Sequence, residues 1–307
     1  VNFHAQANGL VQVNKSLVDA VNAIDPGITF ATLNNLVPVL EGRMVATVKI
    51  IPYGISAKSI EALKPALTGA TSMFVSTYRS CSIGVISTLL PSLKEKTIAK
   101  TVRILEDRLR PSGSKIIAHT MVAHKQEAVR EAIASLAPKC DLLIVFGASA
   151  ISDEADIIPA ALIAANGQIE RLGMPVDPGN LLMLGDVDGT PVIGAPGCAR
   201  SPADNGFDFV LNRLLAGVEV ISNDIAGMGV GGLFDFYSGN IPRAPKWLRE
   251  IGMEWSFRLA MEPGRMFYRY IIGNPLFLLR VLAWRRKIKN KHAAALPAPE
   301  NQDKDDK

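Results

Sequence analysis

The stretch from Cys140 to Phe146 restricts the fold more than any other feature, because it is almost continuously apolar and a glycine follows it at once. A short apolar run of this kind is typical of a parallel strand that helices cover on both faces. Strand and helix signals alternate around it, with strand-like runs at 82–87, 115–122, 181–184 and 190–193 and helical spacing at 98–109 and 126–136. The pattern predicts an α/β fold, a three-layer and mostly parallel sheet with helices on both faces.

Composition divides the 307 residues into four zones. We expect a small N-terminal mixed α/β region at 1–76, an α/β domain at 77–226, a basic and aromatic helical appendage at 227–292 and a disordered tail at 293–307. The last zone is rich in Pro, Ala, Asp and Lys and cannot bury enough surface to fold. The run Met44–Ile51 predicts a strand in the first zone, where no pattern suggests chemistry.

The three cysteines are odd in number and lack the spacing of a zinc site, which indicates a reducing cytoplasm. No window of about 18 apolar residues predicts a transmembrane helix, and the first residues lack the basic stretch and apolar run of a signal peptide. The chain begins at Val1 without an initiator Met, so we expect that the true N-terminus precedes it. The sequence predicts a cytoplasmic protein. If its basic segment binds lipid, the protein is peripheral at the inner face of the membrane.

Positive charge is concentrated between 229 and 292, where twelve basic residues are opposed by four acidic ones. This asymmetry predicts an anionic partner. Short apolar blocks separated by arginines, with Trp284 beside Arg285 and Arg286, are typical of an amphipathic anchor on an anionic membrane surface. A basic helix pair whose charges are solvated also explains the pattern, and both interpretations stay open. No nucleic-acid motif accompanies these residues, so a nucleic-acid partner is not expected.

The turn after the apolar run contains Gly147, Ala148 and Ser149, followed by Asp153 and Asp156. Ligands of parallel sheets bind beyond the carboxyl ends of the strands, so we place all five residues in a ligand site. The glycine allows close approach of the backbone, and the serine with the free amides of the next helix is suited to an anion. The second aspartate has two interpretations, because it can cap the helix or hold a metal ion or a proton.

A second strand-to-helix junction contains Gly194, Pro196, Gly197, Arg200 and Ser201. The serine, followed by proline and then by an acid, predicts a helix that begins there with a capping box. The glycine amides and the guanidinium are suited to a phosphate. An ordinary tight turn with a surface arginine has the same composition, and this alternative also stays open.

The loop at 173–180 is rich in Gly and Pro and predicts rigid turns. We assign its last three residues, Pro178, Gly179 and Asn180, to the same ligand site. Three such turns in one α/β unit indicate a pre-shaped pocket for a phosphate-bearing small molecule.

These three turns resemble the motifs of the molybdopterin-binding domain found in molybdenum-cofactor biosynthesis proteins and competence-damage-inducible proteins. The resemblance covers about 81–217 well and extends over about 1–226. It implies that molybdopterin, or its adenylylated form, is bound with its terminal phosphate on the glycine turns. Active relatives adenylate molybdopterin or insert molybdate with carboxylates that hold a divalent metal. The resemblance therefore implies a catalytic and Mg²⁺-binding role for Asp156, and it leaves a homo-oligomer open.

Two departures from the family pattern concern adenylyl transfer rather than binding. The second acid of the family is missing, since the matching stretch reads Val-Ala-His-Lys-Gln at 122–126. The fuller Gly-Gly-Thr-Gly turn is here Gly-Ala-Ser-Ala at 147–150. Binding of molybdopterin is thus the expectation, and enzymatic transfer stays open.

From about Val230 the sequence resembles the C-terminal end of a different family, the glycosyltransferases that move N-acetylmannosamine or its uronic acid onto a lipid-linked sugar. The matching motifs are Gly231–Gly239, Arg243–Trp247, Gly252–Trp255 and Glu262-Pro263 with Arg265. This resemblance, over about 229–290, implies a UDP-sugar donor and a polyprenyl-linked acceptor.

We expect contacts with the membrane or the acceptor at six residues of this segment, Arg243, Arg265, Arg269, Trp284, Arg285 and Arg286. The donor-binding domain of that family is not recognisable upstream. A membrane-associated glycosyltransferase is therefore the alternative function. A chain joined between the two families at 229–232 is a third interpretation.

Overall fold

The computed structural model describes residues 1–90 and 95–228. Its main sheet has six strands: β7 (Ser82–Leu89), β8 (Lys115–Ala123), β9 (Leu142–Phe146), β10 (Gln168–Leu172), β11 (Met183–Val187) and β12 (Thr190–Ala195). The six residues Arg243, Arg265, Arg269, Trp284, Arg285 and Arg286 lie outside the described residues.

The strand order in the main sheet is β10-β11-β12-β9-β7-β8. Strands β12, β9, β7 and β8 pair in parallel, whereas β11 pairs antiparallel with both β10 and β12. Five of the six strands therefore run in one direction. The β11–β12 hairpin closes through Asp188 and Gly189, whose φ angles are 50° and 82°, as a two-residue primed turn requires.

Helices cover both faces of this sheet. One core cluster joins α3 (Glu95–Leu109), α6 (Gly206–Leu215) and α7 (Ser222–Gly227) to one face, with Leu105, Phe207 and Ile144 fully buried. A second cluster joins α4 (Gln126–Leu136) and α5 (Ile157–Ala164) to the other, with Ile133 and Leu162 fully buried. The predicted three-layer, mostly parallel α/β fold is confirmed.

The first 77 residues form two three-stranded sheets with two helices. One sheet has the order β1-β5-β3 and the other β4-β2-β6. The elements are β1 (Asn2–His4), β2 (Gly9–Val13), α1 (Lys15–Ile24), β3 (Ile28–Thr32), β4 (Val37–Val39), β5 (Met44–Ile50), α2 (Ala57–Leu67) and β6 (Met73–Thr77). Within the described part of the chain, no helix has the length and hydropathy needed to cross a membrane.

The predicted start of the last long helix at Ser201 is wrong. Helix α6 begins at Gly206, where the Asn205 side chain accepts the N–H of Phe207 and the Asp208 carboxylate accepts the N–H of Asn205. This capping box provides hydrogen-bond acceptors for the first N–H groups of the helix. The N-cap is thus four residues further along the chain than the sequence pattern predicts. Residues 197–200 form a short 3-10 turn instead, and the Ser201 hydroxyl accepts the N–H of Ala203.

Candidate functional site

The carboxyl ends of four parallel strands meet at one edge of the main sheet, which we call the carboxyl edge. Phe146 at the end of β9 pairs with Ala195 of β12 and with Ser87 of β7. Leu89 of β7 in turn pairs with Ala123 of β8. The two junctions that sequence analysis selected therefore leave adjacent strands, and the segments after β7 and β8 lie beside them.

Arg200 joins the two junctions directly. Its Nη2 donates to the carbonyl of Gly147 at 2.8 Å, and its guanidinium carbon lies 5.5 Å from the centre of the Phe146 ring. Burial lowers the pKa of Arg200 from its ordinary value, yet an arginine stays cationic at neutral pH. A half-buried positive charge with one donor engaged is thus held between the two turns.

The glycines of the two junctions serve different purposes. A Cβ on Gly147 would lie 2.7 Å from Cδ1 of Ile158, and a Cβ on Gly194 would lie 2.7 Å from Cδ1 of Ile151. These two glycines allow the turns to pack on the core. Gly197, beside the buried Pro196, is exposed and has nothing within 4 Å of its added Cβ, so the open surface of the edge begins there.

A chain of side-chain hydrogen bonds lies at the same edge, and sequence analysis missed two of its members. The buried Thr88 hydroxyl lies 2.8 Å from Nδ1 of His124, and Nε2 of His124 lies 2.8 Å from Oγ of the exposed Ser149. The N–H of Ala148 donates to the Thr88 hydroxyl at 2.7 Å. Burial lowers the pKa of His124 below its ordinary value of 6.5, and the charge of Asp156 partly opposes that shift.

The two aspartates of the first junction organise their own loop. Asp156 is the N-cap residue of α5, but its carboxylate accepts the N–H groups of Ser152 and Asp153 at 2.6 and 3.0 Å instead of capping the helix. The Asp153 carboxylate accepts the N–H of Ala155. Across residues 1–90 and 95–228, no three His, Cys, Asp or Glu side chains are grouped as metal ligands.

The third turn packs on the start of α6. Gly179 has a φ of 138°, and a Cβ on it would lie 2.6 Å from Cα of Gly206, whose N–H donates to the Pro178 carbonyl. The Asn180 carbonyl accepts the N–H of Met174. The backbone of this turn is therefore engaged in packing, with the Pro178 and Asn180 side chains exposed.

Cys198, in the 3-10 turn, lies beside Asn205 with its Sγ 3.4 Å from the amide oxygen. Burial raises the pKa of this thiol, and the nearby charges of Asp177 and Asp208 add to the shift. The third turn and the second junction thus lie side by side, and Cys198 has the high pKa of a structural thiol rather than of a nucleophile.

Arg108 of α3 holds the end of the 3-10 turn and the segment that follows it. Its guanidinium donates to the carbonyls of Ala199 and Ser201 at 2.9 and 2.8 Å and to that of Ala203 at 3.2 Å. Its Nε also donates to the Asp208 carboxylate at 2.5 Å, and both side chains of this ion pair are about nine-tenths buried. This Arg108 clamp, which sequence analysis also missed, fixes the position of Arg200.

A cavity lies at the opposite, amino edge of the parallel strands. It has a volume of about 780 Å³ and is lined at the starts of β7, β9 and β12. Its charged lining residues are Arg79, Asp141, Glu170, Asp186 and Glu219. Four carboxylates against one guanidinium make this cavity unsuited to a phosphate, so its size does not identify it as the site.

Comparison with solved structures returned molybdopterin biosynthesis proteins. The MoeA protein of Pyrococcus horikoshii is 16% identical, with a TM-score of 0.35 over 70% of this chain and 68% of that chain. The MoaB enzyme of Thermus thermophilus is 15% identical, with a TM-score of 0.32 over 46% of this chain and 98% of that chain.

Comparison of sequences returned a glycosyltransferase. The chain is 38% identical to N-acetylglucosaminyldiphosphoundecaprenol N-acetyl-β-D-mannosaminyltransferase of Bacillus subtilis (strain 168). The aligned stretch of 73 residues covers 24% of this chain and 26% of that protein. The chain thus spans about a quarter of the length of this curated relative. Residues 219–291 match the model of the glycosyl transferase WecG/TagA/CpsF family, and the predicted resemblance of the C-terminal segment is confirmed.

Proposed function

We propose that the α/β part of the chain binds molybdopterin, or its adenylylated form, through a phosphate group at the carboxyl edge. The observation that carries the proposal is the hydrogen bond from Arg200 to the Gly147 carbonyl. It draws together the two glycine turns whose motifs resemble those of molybdopterin-binding domains. The proposed role is in the biosynthesis or handling of the molybdenum cofactor.

The groups at this edge have the chemistry that a phosphate requires. Ser149 is exposed and supplies a hydroxyl, and Arg200 supplies a guanidinium with donors beyond the one that Gly147 engages. Charge-assisted hydrogen bonds of arginine to phosphate are among the stronger polar contacts in proteins. The open backbone at Gly197 gives the ligand access to the turn.

The fit of a magnesium ion is weaker than the fit of the phosphate. One oxygen of Asp156 is engaged by two backbone N–H groups, and the stretch 122–126 lacks the second acid of the related domains. Mg²⁺ in proteins usually takes one or two carboxylates together with substrate phosphates and water. Asp156 would therefore hold the ion only together with phosphate oxygens of a ligand, and we propose binding rather than adenylyl transfer.

Equilibrium binding of molybdopterin to the purified chain tests the proposal with two glycine variants. Gly197→Asp adds a negative charge at the carboxyl edge in open space, so the fold is kept and phosphate is repelled. Gly54→Asp adds the same charge in open space between β5 and α2. We expect G197D to lose binding and G54D to bind like the wild type. No binding by the wild type, or equal binding by G197D, contradicts the proposal.

A second candidate, a membrane-associated glycosyltransferase, is favoured by the family match at 219–291. It would transfer an N-acetylmannosamine-type sugar from a UDP donor to a polyprenyl-linked acceptor, with Arg243 and Arg265 at the acceptor. The test is sugar transfer by the full chain, with Arg243→Ala and Arg265→Ala as variants. A chain that binds no UDP-sugar rules this candidate out.

We also propose where the protein is located in the cell and how its state of assembly can be measured. The basic segment would attach a cytoplasmic protein to the inner face of an anionic membrane, through Arg269, Trp284, Arg285 and Arg286 among other residues. Sedimentation with vesicles that contain anionic lipid, compared with neutral vesicles, measures this attachment. Sedimentation equilibrium of the chain alone measures whether it is a homo-oligomer.

A further inference from the structure

We propose that Thr88 and His124 are positioning residues that turn the hydroxyl hydrogen of Ser149 outward, as a donor to a phosphoryl oxygen of the ligand. This inference rests on the proposed binding function, and it adds the direction in which the Ser149 hydroxyl donates its hydrogen. Its basis is the chain of three hydrogen bonds at the carboxyl edge, in which one end has a fixed direction.

The fixed end is the backbone N–H of Ala148. It donates to Oγ1 of Thr88 at 2.7 Å, and a backbone N–H cannot accept. Thr88 therefore receives a hydrogen bond and keeps one hydrogen of its own. Its side chain is fully buried, so that hydrogen needs an acceptor within the protein.

Among the described residues, the other partner of the Thr88 hydroxyl is Nδ1 of His124, at 2.8 Å. If Nδ1 carried a hydrogen, both groups would be donors and the buried hydroxyl hydrogen would be left without an acceptor. If Nδ1 is bare, every group is satisfied. The hydrogen-bond network therefore assigns the tautomer of His124 with its hydrogen on Nε2.

The tautomer of His124 in turn determines the donor in its hydrogen bond with Ser149. Nε2–H of His124 donates to the Ser149 oxygen at 2.8 Å, so that oxygen is an acceptor and its own hydrogen is free. Ser149 is exposed at the edge, and its hydroxyl can donate to a group that comes from solution. The reverse direction would have Ser149 donate to His124, as in a serine that a general base activates.

The ligand group that this arrangement recognises is an unprotonated phosphoryl oxygen, which only accepts hydrogen bonds. The positive charge of Arg200, held two residues away on the Gly147 carbonyl, favours an anion at the same place. A phosphate monoester carries about −1.5 to −2 charges at pH 7, so most of its terminal oxygens have this character.

The test combines a spectroscopic readout with a binding readout. Nitrogen-15 NMR of the imidazole reports which ring nitrogen of His124 carries the hydrogen, and calorimetry measures binding of inorganic pyrophosphate. Thr88→Val removes the hydroxyl and keeps the shape, whereas Thr88→Ser keeps the hydroxyl. Thr101→Val is the matched control, because the Thr101 hydroxyl is also buried but donates to the Thr97 carbonyl within α3.

We expect the Nε2–H tautomer in the wild type and in T88S, and loss of that tautomer preference in T88V. We expect T88V to bind pyrophosphate about tenfold more weakly, the effect of one lost hydrogen bond to a charged group, and T101V to bind like the wild type. An Nδ1–H tautomer in the wild type, or full affinity in T88V, overturns the proposal. A wild type that has the Nε2–H tautomer but binds neither pyrophosphate nor molybdopterin contradicts the binding function itself.

Discussion

The two edges of the parallel sheet differ in the charged and polar groups that they present. At the carboxyl edge, Arg200 joins the two junctions, and Ser149 and Gly197 are exposed to solvent. The amino edge holds a cavity of about 780 Å³ with Asp141 and Glu219 among its carboxylates. The cavity thus lies where carboxylates would repel a phosphate, and the exposed donors lie at the other edge. Donor chemistry, rather than volume, is the reason for placing the proposed phosphate site at the carboxyl edge.

The backbone at the carboxyl edge is held in place by one buried side chain. At the carboxyl edge the Arg108 clamp joins α3, the 3-10 turn and α6 through one buried guanidinium. Because Arg108 bonds the carbonyls on either side of Arg200, it orders the backbone that carries this proposed donor. A donor that is ordered before binding lowers the entropic cost of binding.

The largest expected effect comes from removing this clamp. Arg108→Ala should lower the free energy of unfolding by about 3–5 kcal/mol, because Asp208 is left charged and buried without its partner. Urea unfolding measures it. Arg110→Ala is the control, since its ion pair with Asp107 is largely exposed and should contribute at most about 1 kcal/mol. Equal effects of the two variants would show that the edge does not depend on the clamp.

One arginine at each edge gives a direct comparison of the two places. Arg200→Gln should weaken binding of molybdopterin or pyrophosphate about ten- to a hundredfold, because a charge-assisted hydrogen bond is lost. Arg79→Gln, at the cavity of the amino edge, should leave affinity unchanged. Calorimetry of both variants measures the difference. If R79Q were the weaker binder, the site would have to move to the amino edge.

A smaller effect should appear in the pH dependence of stability. Burial lowers the pKa of His124 in the folded chain, so the unfolded chain binds a proton first as the pH falls. His124 should therefore cost no stability above about pH 6.5, its ordinary pKa, and lower the free energy of unfolding progressively below it. The measurement is urea unfolding of the wild type and His124→Gln at about pH 7.5 and about pH 5.5. Identical pH dependence in both would contradict the shift.

The smallest effect concerns the two thiols that line the amino-edge cavity. Burial raises the pKa of Cys81, with a further contribution from the charge of Asp141, and burial also raises the pKa of Cys140. Both should react slowly with iodoacetamide at neutral pH and faster above about pH 9. Mass spectrometry of the alkylated chain follows each cysteine. Rapid alkylation at neutral pH would indicate a reactive amino edge.

Strand–helix alternation predicted five of the six strands of the main sheet, because apolar runs such as those of β7 and β9 are buried on both faces. The edge strand β10 (Gln168–Leu172) was missed, since its sequence contains polar and charged residues and its side chains are partly exposed. The strand at 115–122 and the helix at 126–136 match β8 and α4 within one residue. The two glycine junctions were also predicted, and their meeting follows from the pairing of Phe146 with Ala195.

The remaining features depend on contacts between distant parts of the chain. Ser201 has the neighbours of a helix cap, but Asn205 and Asp208 form the capping box because each satisfies the other. Thr88 and His124 are 36 residues apart, and no local pattern marks a buried hydroxyl as the partner of an imidazole. Asp156 holds the N-cap position that its spacing from Pro159 indicates, while its carboxylate bonds the loop before it.

The reversed direction of β11 has a practical consequence. Strand β11 begins at the carboxyl edge and β12 ends there, because the two strands are antiparallel. The loop before β11 and the turn after β12 therefore both lie at the carboxyl edge. The tight turn at Asp188 and Gly189 consequently lies a full strand away from both, and nothing lies within 4 Å of a Cβ built on Gly189. A fluorophore or a short peptide tag inserted between these residues would report on the protein without obstructing the proposed ligand site.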